Sequence, residues 1–581
     1  MKTYLKTAAF AALATLGLAH TASALDGEPY IHDPSNIMEC DGKYYTFGTG
    51  GGGLISDDGW TWRSGAVRPG GGAAPDALKI GDRYLVGYSA TGGGLGGGHA
   101  GRILTMWNKT LDPNSPDFEY TEPIEVAASL NDEDCDAIDI GLLLDPSGRL
   151  WCTYGTYFGF IRVVELDPKT GARLAGNEAV DIAIDCEATT MIYRDGWYYL
   201  LATHGTCCSG ATSTYNIRVG RSKSPTGPFL DHTGMDMIRG GGKLVVAANN
   251  RLIGAGHFGL LDLGGNVQKF SCHYESSLDD PGHFGVLDIR ALLWKDGWPV
   301  AGDYFMGGTF EIESGRSGYA LEMGVDAVPL TQGGRTRQMA APAGEGGAAR
   351  PARGAGGAPG GFPAGGAPGA GAPGGAARPA MGAAGAPGAG APGGMMGMGG
   401  GAPGAGAPGG AARPAMGAGG APGGGMGGFG GMGMGMGGGG RNSAPIPDQT
   451  VEDAEPTWPN KTVVTRLGDY MLQAHQKWTI APVEGAGGYI GSPFFKITIE
   501  GTDRALTATE EGTVVVETAF TGDDSQLWRI DQLIDGSWRI MPKAESDSDE
   551  PMCLSAVGIS TPSLAKYDPD SWNFRWNFKK P

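Results

Sequence analysis

The chain has 581 residues, with 62 acidic and 43 basic side chains and a formal net charge of −19 at pH 7. This balance argues against nucleic acid as a partner, because binding to a phosphate backbone needs a basic stripe. It suits a secreted protein that acts on a neutral polymer, or it serves solubility alone. The length leaves room for two or three domains.

Residues 1–24 have the form of a secretory signal peptide. Lys2 and Lys6 precede an apolar run over residues 8–18, and Ala22-Ser23-Ala24 fits the small-residue cleavage pattern. We therefore expect cleavage before Leu25 and a secreted or periplasmic protein. The run is shorter than a membrane span, and no later segment has enough unbroken apolar residues, so no transmembrane segment is expected.

Residues 25–305 predict an all-β domain. Short runs rich in Tyr, Val, Ile and Trp recur, such as Lys43–Phe47, Arg83–Tyr88 and Trp197–Thr203, and turn pairs such as Asp41-Gly42 separate them. Many short strands at even spacing indicate a sandwich, barrel or propeller. Five four-stranded blades of about 50–60 residues account for the length, which predicts a five-bladed β-propeller.

Residues 333–447 consist almost wholly of Gly, Ala, Pro and Met, and an 18-residue unit that begins at Gly366 begins again at Gly401. Such a segment cannot bury enough apolar surface to offset the entropy of ordering. Glycine does not recur strictly at every third position, which excludes collagen. The tract is therefore predicted to be a disordered low-complexity segment.

The last part of the chain, residues 448–581, carries a weak repeat around Trp478, Trp528 and Trp576. The Gln-x-Trp element resembles the ricin-type β-trefoil, although Phe574 replaces Gln in the third unit. Residues 306–332 look like the first strands of such a trefoil. We therefore predict that the 333–447 tract is inserted inside the first trefoil repeat, which loop-closure entropy tolerates.

Three acidic residues stand out in the first domain. Asp33, Asp139 and Glu187 each lie among apolar or small neighbours, which is unusual for a solvated charge. Inverting glycoside hydrolysis needs a protonated and an ionised carboxyl group roughly 6.5–9.5 Å apart. A third acid nearby raises the pKa of the donor. A propeller brings inner strands of different blades to one axis, and Glu187 is our candidate proton donor. Each acid taken alone also fits a turn-capping role.

Ordered motifs across residues 25–305 resemble the glycoside hydrolase family 43 arabinanases. The motifs are His32-Asp33-Pro34-Ser35, Ala137-Ile138-Asp139, Gly155–Phe160, Glu187-Ala188, Cys207-Cys208, Ser213-Thr214-Tyr215, Thr226–Phe229 and Gly254–His257. The resemblance implies a five-bladed propeller with Asp33 as general base and Glu187 as general acid. Asp139 would then modulate the pKa of the acid and orient it.

The resemblance also suggests residues around the three acids. The expected substrate-binding residues are His32, Tyr157, Phe158 and Tyr215, and Trp60 and Trp62 are further candidates for sugar stacking. His257 would lie near the propeller axis, where relatives hold a metal ion, often calcium, largely through water. A calcium site wants several oxygen ligands, and the sequence does not visibly supply them.

Some positions depart from the arabinanase pattern. Ile140 stands where Pro usually follows the second aspartate, and Phe258-Gly259 replaces a polar pair after His257. We expect these positions to lie around the substrate cleft and to bear on sugar preference. The adjacent Cys207 and Cys208 form a ring with each other or are buried or paired separately.

These features predict a monomeric, secreted, inverting glycoside hydrolase that cleaves α-L-arabinofuranosyl linkages of a plant-type polysaccharide, endo-1,5 in arabinan. An exo-acting arabinofuranosidase, xylosidase or other furanosidase is the alternative with the same chemistry. A non-catalytic carbohydrate-binding protein is an alternative of another class, and a surface protein built around the Met/Gly/Pro tract is a third.

Overall fold

The computed structural model describes residues 25–91, 100–130, 133–249, 251–278, 281–325, 331–332, 335–336, 463–557 and 561–581. The predicted signal peptide and most of the predicted insert lie outside these ranges. Within them, no helix combines the length and apolar character that crossing a membrane requires.

Five antiparallel sheets make up the first half of the chain. Their strands are β1 (Asp26–Gly27), β2 (Met38–Cys40), β3 (Lys43–Phe47), β4 (Gly52–Ser56), β5 (Thr61–Val67), β6 (Ala73–Ile80), β7 (Arg83–Thr91), β8 (Gly101–Asn108), β9 (Ile124–Ser129), β10 (Gly141–Leu144), β11 (Leu150–Tyr154), β12 (Phe160–Leu166), β13 (Val180–Ile184), β14 (Glu187–Arg194), β15 (Trp197–His204), β16 (Asn216–Ser222), β17 (Lys243–Val246), β18 (Leu252–Asp262), β19 (Gln268–Ser277), β20 (Val286–Lys295) and β21 (Trp298–Ala301). The sheets are β2–β5, β6–β9, β10–β13, β14–β17 and β18–β21, each in sequence order, and the short β1 adds to β5 in parallel.

The first strand of each sheet faces the next sheet's first strand, so β2, β6, β10, β14 and β18 contact one another in chain order. The ring closes where Tyr30 pairs with Val286 of β20 and where the side-chain oxygen of Asn36 accepts from the N–H of Leu260 at 3.1 Å. The predicted five-bladed β-propeller is confirmed.

Asp-Gly pairs make three of the hairpin turns within the blades. Both residues have positive φ at Asp41-Gly42 (53° and 75°), Asp195-Gly196 (50° and 77°) and Asp296-Gly297 (54° and 73°). This is the pattern of a type I′ turn, whose twist matches that of the flanking strands. The turn chemistry predicted from the sequence therefore sets the strand pairing.

A second group of strands follows. These are β22 (Gly308–Ser314), β23 (Tyr319–Val325), β24 (Thr331–Gln332), β25 (Arg335–Thr336), β26 (Val463–Asp469), β27 (Lys477–Pro482), β28 (Gly488–Tyr489), β29 (Ser492–Pro493), β30 (Phe495–Ile499), β31 (Ala505–Ala508), β32 (Val514–Glu517), β33 (Trp528–Gln532), β34 (Trp538–Pro542), β35 (Met552–Ser555), β36 (Ser563–Lys566) and β37 (Trp576–Lys579). Short 3₁₀ helices span Gly210–Thr212, Met237–Arg239, Ala474–Gln476, Asp524–Gln526, Lys543–Glu545 and Trp572–Phe574.

Six of these later strands close into a ring, in the order β27, β22, β37, β34, β33 and β30, and β30 pairs back with β27. Strand β22 precedes the Gly/Pro/Ala tract, yet it pairs with β27 and β37 beyond it. Strand β23 likewise pairs with β26 across the tract. The trefoil and the domain boundaries stay predictions.

The three repeat tryptophans occupy equivalent positions inside this ring. Each indole is fully buried and donates its N–H to a backbone carbonyl about 20 residues upstream or, for the first, across the tract. The pairs are Trp478 with Leu321 at 2.9 Å, Trp528 with Leu506 at 3.0 Å and Trp576 with Leu554 at 3.0 Å.

Candidate active site

Every blade has a non-glycine residue with positive φ within its inner strand or in the segment just before it. These residues are Asp33 (55°), Ala74 (43°), Asp139 (58°), Ala188 (47°) and His257 (60°). Left-handed conformations cost about 1–3 kcal/mol for side chains of this kind and gather at functional sites. The repeated backbone distortion therefore marks the end of the propeller where the predicted acids lie.

Side chains from the neighbouring blade hold four of these distorted positions. The N–H groups donate to Nδ1 of His273 (from Asp33, 3.1 Å), Oγ1 of Thr49 (from Ala74, 2.9 Å), Oγ of Ser89 (from Asp139, 2.9 Å) and Oγ1 of Thr203 (from His257, 3.0 Å). At the fifth position, the N–H of Ala188 donates to the Asp139 carboxylate at 3.2 Å. The site is thus assembled from contacts between blades rather than within them.

Asp33 lies in a setting that favours its ionised form. One carboxylate oxygen accepts from the Thr49 hydroxyl at 2.6 Å and lies 2.9 Å from Nδ1 of His32, and the other lies 3.2 Å from Nδ1 of His257. Burial alone would raise the pKa of Asp33, but His32 and His257 outweigh it and hold the pKa well below its usual range. Asp33 is therefore a carboxylate, the form a general base requires.

Glu187 lies in the opposite setting. Its side chain is buried, and burial raises its pKa well above the usual range, with the charges of Asp139, Asp33 and Glu275 adding to the effect. Burial also raises the pKa of Asp139, to about 7, with the Asp33 charge adding to it and His257 opposing it. Two carboxyl groups whose pKa values are driven apart are the arrangement expected of an acid and base pair.

The predicted substrate-binding residues divide into two groups. The rings of Tyr157 and Phe158 lie 4.5 Å apart in a tilted arrangement, and Phe158 is half exposed. The His32 ring stacks on the exposed Phe284 at 4.5 Å. These rings are available to a ligand. Tyr215 is buried, and its ring packs against Gly256.

The proposed sugar-stacking roles of Trp60 and Trp62 are wrong. Trp62 is buried in the core, where its indole N–H donates to the Gly59 carbonyl at 3.1 Å. Trp60 packs against Gly488, which belongs to the later group of strands. Both rings therefore serve packing.

The departures from the arabinanase pattern also lie elsewhere than expected. Ile140 is buried among the apolar side chains of blades two and three, and Phe258 is buried and stacks on Phe270 at 5.4 Å. The prediction that these two side chains line the cleft is wrong, because both point into the cores between blades.

His257 does not bring together a protein-only set of calcium ligands. Its Nδ1 faces Asp33. Burial alone would lower the pKa of His257, but the hydrogen bond and charge of Asp33 outweigh burial and raise that pKa. Among the described residues, the groups of His, Cys and acidic side chains close enough to share an ion are His32-Cys207-Cys208 and His32-Asp33-His273, and neither includes His257. A calcium ion here would take its ligands mainly from water, and the ion stays a prediction.

Sequence reasoning missed Thr49, His273 and Glu275. His273 accepts the Asp33 N–H, and burial lowers its pKa well below the usual range, with His32 adding to the effect. Glu275 is fully buried on β19, a strand whose ten residues are all buried. The acidic residue within this strand could have pointed to Glu275 as a functional residue, because buried acids are rare unless they are paired.

The family model described as glycosyl hydrolases family 43 matches residues 46–299. An extracellular exo-α-(1→5)-L-arabinofuranosidase from Cellvibrio japonicus is 32% identical over 322 residues, covering 50% of this chain and 90% of that protein. A probable arabinan endo-1,5-α-L-arabinosidase A from Aspergillus flavus is 30% identical, covering 48% of this chain and 92% of that protein. The crystal structure of an exo-1,5-α-L-arabinanase from a bovine ruminal metagenomic library aligns with 31% identity and a TM-score of 0.43, covering 47% of this chain and 97% of that one.

Proposed function

This chain belongs to glycosyl hydrolase family 43, and from that premise we propose that it hydrolyses α-L-arabinofuranosyl linkages in arabinan with inversion at the anomeric carbon. The curated relatives above act, by their names, on 1,5-linked arabinan or arabinofuranosides. The observation that carries the proposal is a pair of carboxyl groups at one end of the propeller axis whose surroundings shift their pKa values in opposite directions, that of Asp33 downward and that of Glu187 upward.

In the proposed mechanism, Glu187 gives its proton to the leaving oxygen while Asp33 takes a proton from water, which attacks the anomeric carbon from the opposite face. His32, Thr49 and His257 hold the Asp33 carboxylate and keep it ionised. Asp139 accepts a hydrogen bond from the N–H of Ala188, which follows Glu187, and its charge adds to burial in raising the pKa of Glu187.

The proposal is tested with Glu187→Gln, which keeps the shape of the side chain and removes the proton. We expect kcat on linear 1,5-arabinan to fall by about 10²–10⁴-fold while substrate binding persists. The matched control is Glu125→Gln on the outer strand β9, whose side chain is half exposed and 3.9 Å from Arg102. Full activity of Glu187→Gln would overturn the assignment, and proton NMR of the first-formed anomer tests inversion.

An exo-acting mode is the second candidate, favoured by the name of the 32%-identical relative. Product analysis early in the reaction separates the two modes. Oligosaccharides from linear arabinan support endo cleavage, and arabinose alone supports exo cleavage.

We further propose that the strands after the propeller form a ricin-type trefoil that binds polysaccharide. The closed six-stranded ring and the equivalent positions of Trp478, Trp528 and Trp576 support this. The Glu187→Gln protein should bind insoluble arabinan even when short arabino-oligosaccharides saturate the cleft. If those oligosaccharides abolish binding to insoluble arabinan completely, the proposal of a second binding site fails.

Secretion through a cleaved signal is also a proposal. The first 24 residues carry the signal pattern, and the relative from Cellvibrio japonicus is extracellular by name. The mature protein exported by the cell should begin at Leu25, which N-terminal sequencing determines.

A further inference from the structure

The loop between β15 and β16 brings two sulfur atoms to the predicted general base. Cys207 and Cys208 are joined by a disulfide. A ring nitrogen of His32 and both sulfur atoms lie within 4.8 Å of one another, and Nδ1 of His32 lies 2.9 Å from the Asp33 carboxylate. The loop of the fourth blade therefore reaches a residue that contacts the reacting group on the first.

A buried carboxylate anchors this loop. Glu275 of the fifth blade is fully buried, and its two oxygens accept the N–H groups of Cys208 (2.5 Å), Ser209 (2.9 Å) and Gly210 (3.1 Å). Three convergent N–H donors form an anion-binding nest of the kind that offsets the desolvation of a charge. Burying Glu275 is thus coupled to holding the disulfide in one place.

Two further contacts fix the ends of the loop. The Tyr157 hydroxyl of the third blade lies beside the backbone N–H of Cys207, which lowers the pKa of Tyr157 against the effect of burial. The Ser213 hydroxyl donates to the Thr206 carbonyl at 2.9 Å. Ser213 in turn packs closely on Gly254, where a Cβ would lie 2.6 Å from the Ser213 hydroxyl and clash with it. Contacts with the third and fifth blades therefore hold the loop.

The disulfide offers a ligand a different kind of surface from that of the acids beside it. A disulfide offers polarisable apolar surface and no hydrogen-bond donor. Cys208 is exposed, and the neighbouring rings of Tyr157 and of His32, stacked on Phe284, extend the same apolar face. The other six cysteines are buried free thiols, so Cys207 and Cys208 are the two cysteines of the chain that are not buried.

We propose that the Cys207–Cys208 disulfide is a wall of the substrate cleft that packs against the C–H face of an arabinofuranosyl unit, with Glu275 as the positioning residue that holds it there. The inference rests on the proposed function for the identity of the sugar. It assigns specificity to a disulfide and to a buried acid that neither gives nor takes the transferred proton, although the charge of Glu275 also adds to the raised pKa of Glu187.

Reduction of the native enzyme tests the wall directly. A water-soluble phosphine breaks the S–S bond: the two sulfur atoms take up two electrons and two protons, and the phosphine becomes a phosphine oxide with oxygen from water. Thiol titration without denaturant should then count two reactive thiols. We expect KM for linear arabinan to rise about tenfold while kcat changes by less than about twofold, because a binding contact is lost and the acids are untouched.

Variants separate the wall from its anchor. Cys207→Ser/Cys208→Ser and Glu275→Gln should each raise KM to a similar extent, and reduction should add little to the effect of Glu275→Gln, since both act through one loop. The matched control is Asp145→Asn, another buried carboxylate that gathers turn N–H groups, those of Ser147 (2.9 Å) and Arg149 (3.2 Å). It should change thermal stability and leave KM unaltered.

The outcomes distinguish this inference from the proposed function. If the untreated enzyme does not cut arabinan, the proposed function fails whatever the disulfide does. If it cuts arabinan and KM is the same after two thiols have been titrated, the disulfide is not a wall of the substrate cleft. Should Glu275→Gln fail to fold, reduction of the native enzyme still decides. A KM change in Asp145→Asn equal to that in Glu275→Gln would also overturn the positioning role.

Discussion

Asp139 accepts a hydrogen bond from the backbone N–H of Ala188, at 3.2 Å, and Ala188 directly follows the predicted proton donor Glu187. Asp139 thereby acts on Glu187 in two ways, by fixing the backbone beside it and by raising its pKa through like charge.

Replacing Asp139 with Asn should shift the alkaline limb of the pH profile. Glu187 must be protonated to act, so the loss of a neighbouring negative charge lowers its pKa and brings the loss of kcat/KM to lower pH. We expect a fall of about 10-fold or more in kcat at neutral pH as well. The measurement is kcat/KM against pH on linear arabinan, and a fall in rate with an unmoved alkaline limb would mean that Asp139 only positions the backbone.

Replacing His257 with Asn should move the acid limb instead. The His257 contact and charge lower the pKa of Asp33, and removing them raises that pKa. Asp33 must be ionised to accept a proton. As the solution is acidified, the variant should therefore lose activity at a higher pH than the parent enzyme does. His204→Asn is the matched control, since His204 pairs with the exposed Asp185 at 3.0 Å. An acid limb that stays in place in His257→Asn contradicts the proposed role.

The predicted acids could be found from sequence because each lies in a short local motif at the start of an inner strand. Their partners could not, since Asp33 and His273 are 240 residues apart and meet only when the propeller closes. The Glu275 anchor depends in the same way on the packing of the fourth blade against the fifth.

The exposure of aromatic residues within strands was also predicted wrongly. A blade packed between two others buries both of its faces, so the period-two alternation that marks an exposed face is lost. Trp62 and Tyr215 look like cleft residues in the sequence but are buried. Phe158, in a loop before β12, is half exposed as expected, because a loop leaves one side of the ring open.

The contact between the propeller and the later strands includes a buried charge cluster, and breaking it should destabilise the protein. The fully buried Asp531 carboxylate accepts from Arg529 at 2.9 Å and Arg539 at 2.6 Å, and Nζ of Lys269 lies 3.9 Å away. Asp531→Asn leaves three cations without their counter-charge, which should cost about 3–5 kcal/mol in denaturant unfolding. Asp524→Asn, which breaks the exposed pair with Lys543 at 3.0 Å, should cost less than about 1 kcal/mol. Equal effects of the two changes would argue against the cluster.

The predicted axial calcium ion has a direct test. If an ion held mainly by water lies beside His257, dialysis against a chelator should lower Tm and kcat together, and calcium but not sodium should restore both. A site of this kind has few protein ligands, so affinity should be weak and removal rapid. If metal analysis shows less than one equivalent of calcium and Tm and kcat are nevertheless unchanged, the prediction is contradicted.

The Gly/Pro/Ala tract is predicted to interrupt one repeat, and strand pairing across it makes that testable by cleavage. Strand β22 pairs with β27 and β37, and β23 pairs with β26 over seven residue pairs from Tyr319–Asp469 to Val325–Val463. A site-specific protease sequence placed within residues 340–442 should yield two fragments that elute together on size exclusion and separate only in denaturant. A variant cut instead after an added site at the chain terminus controls for the protease. Elution of a free propeller and a free C-terminal fragment under native conditions would show that the tract joins two domains rather than interrupting one.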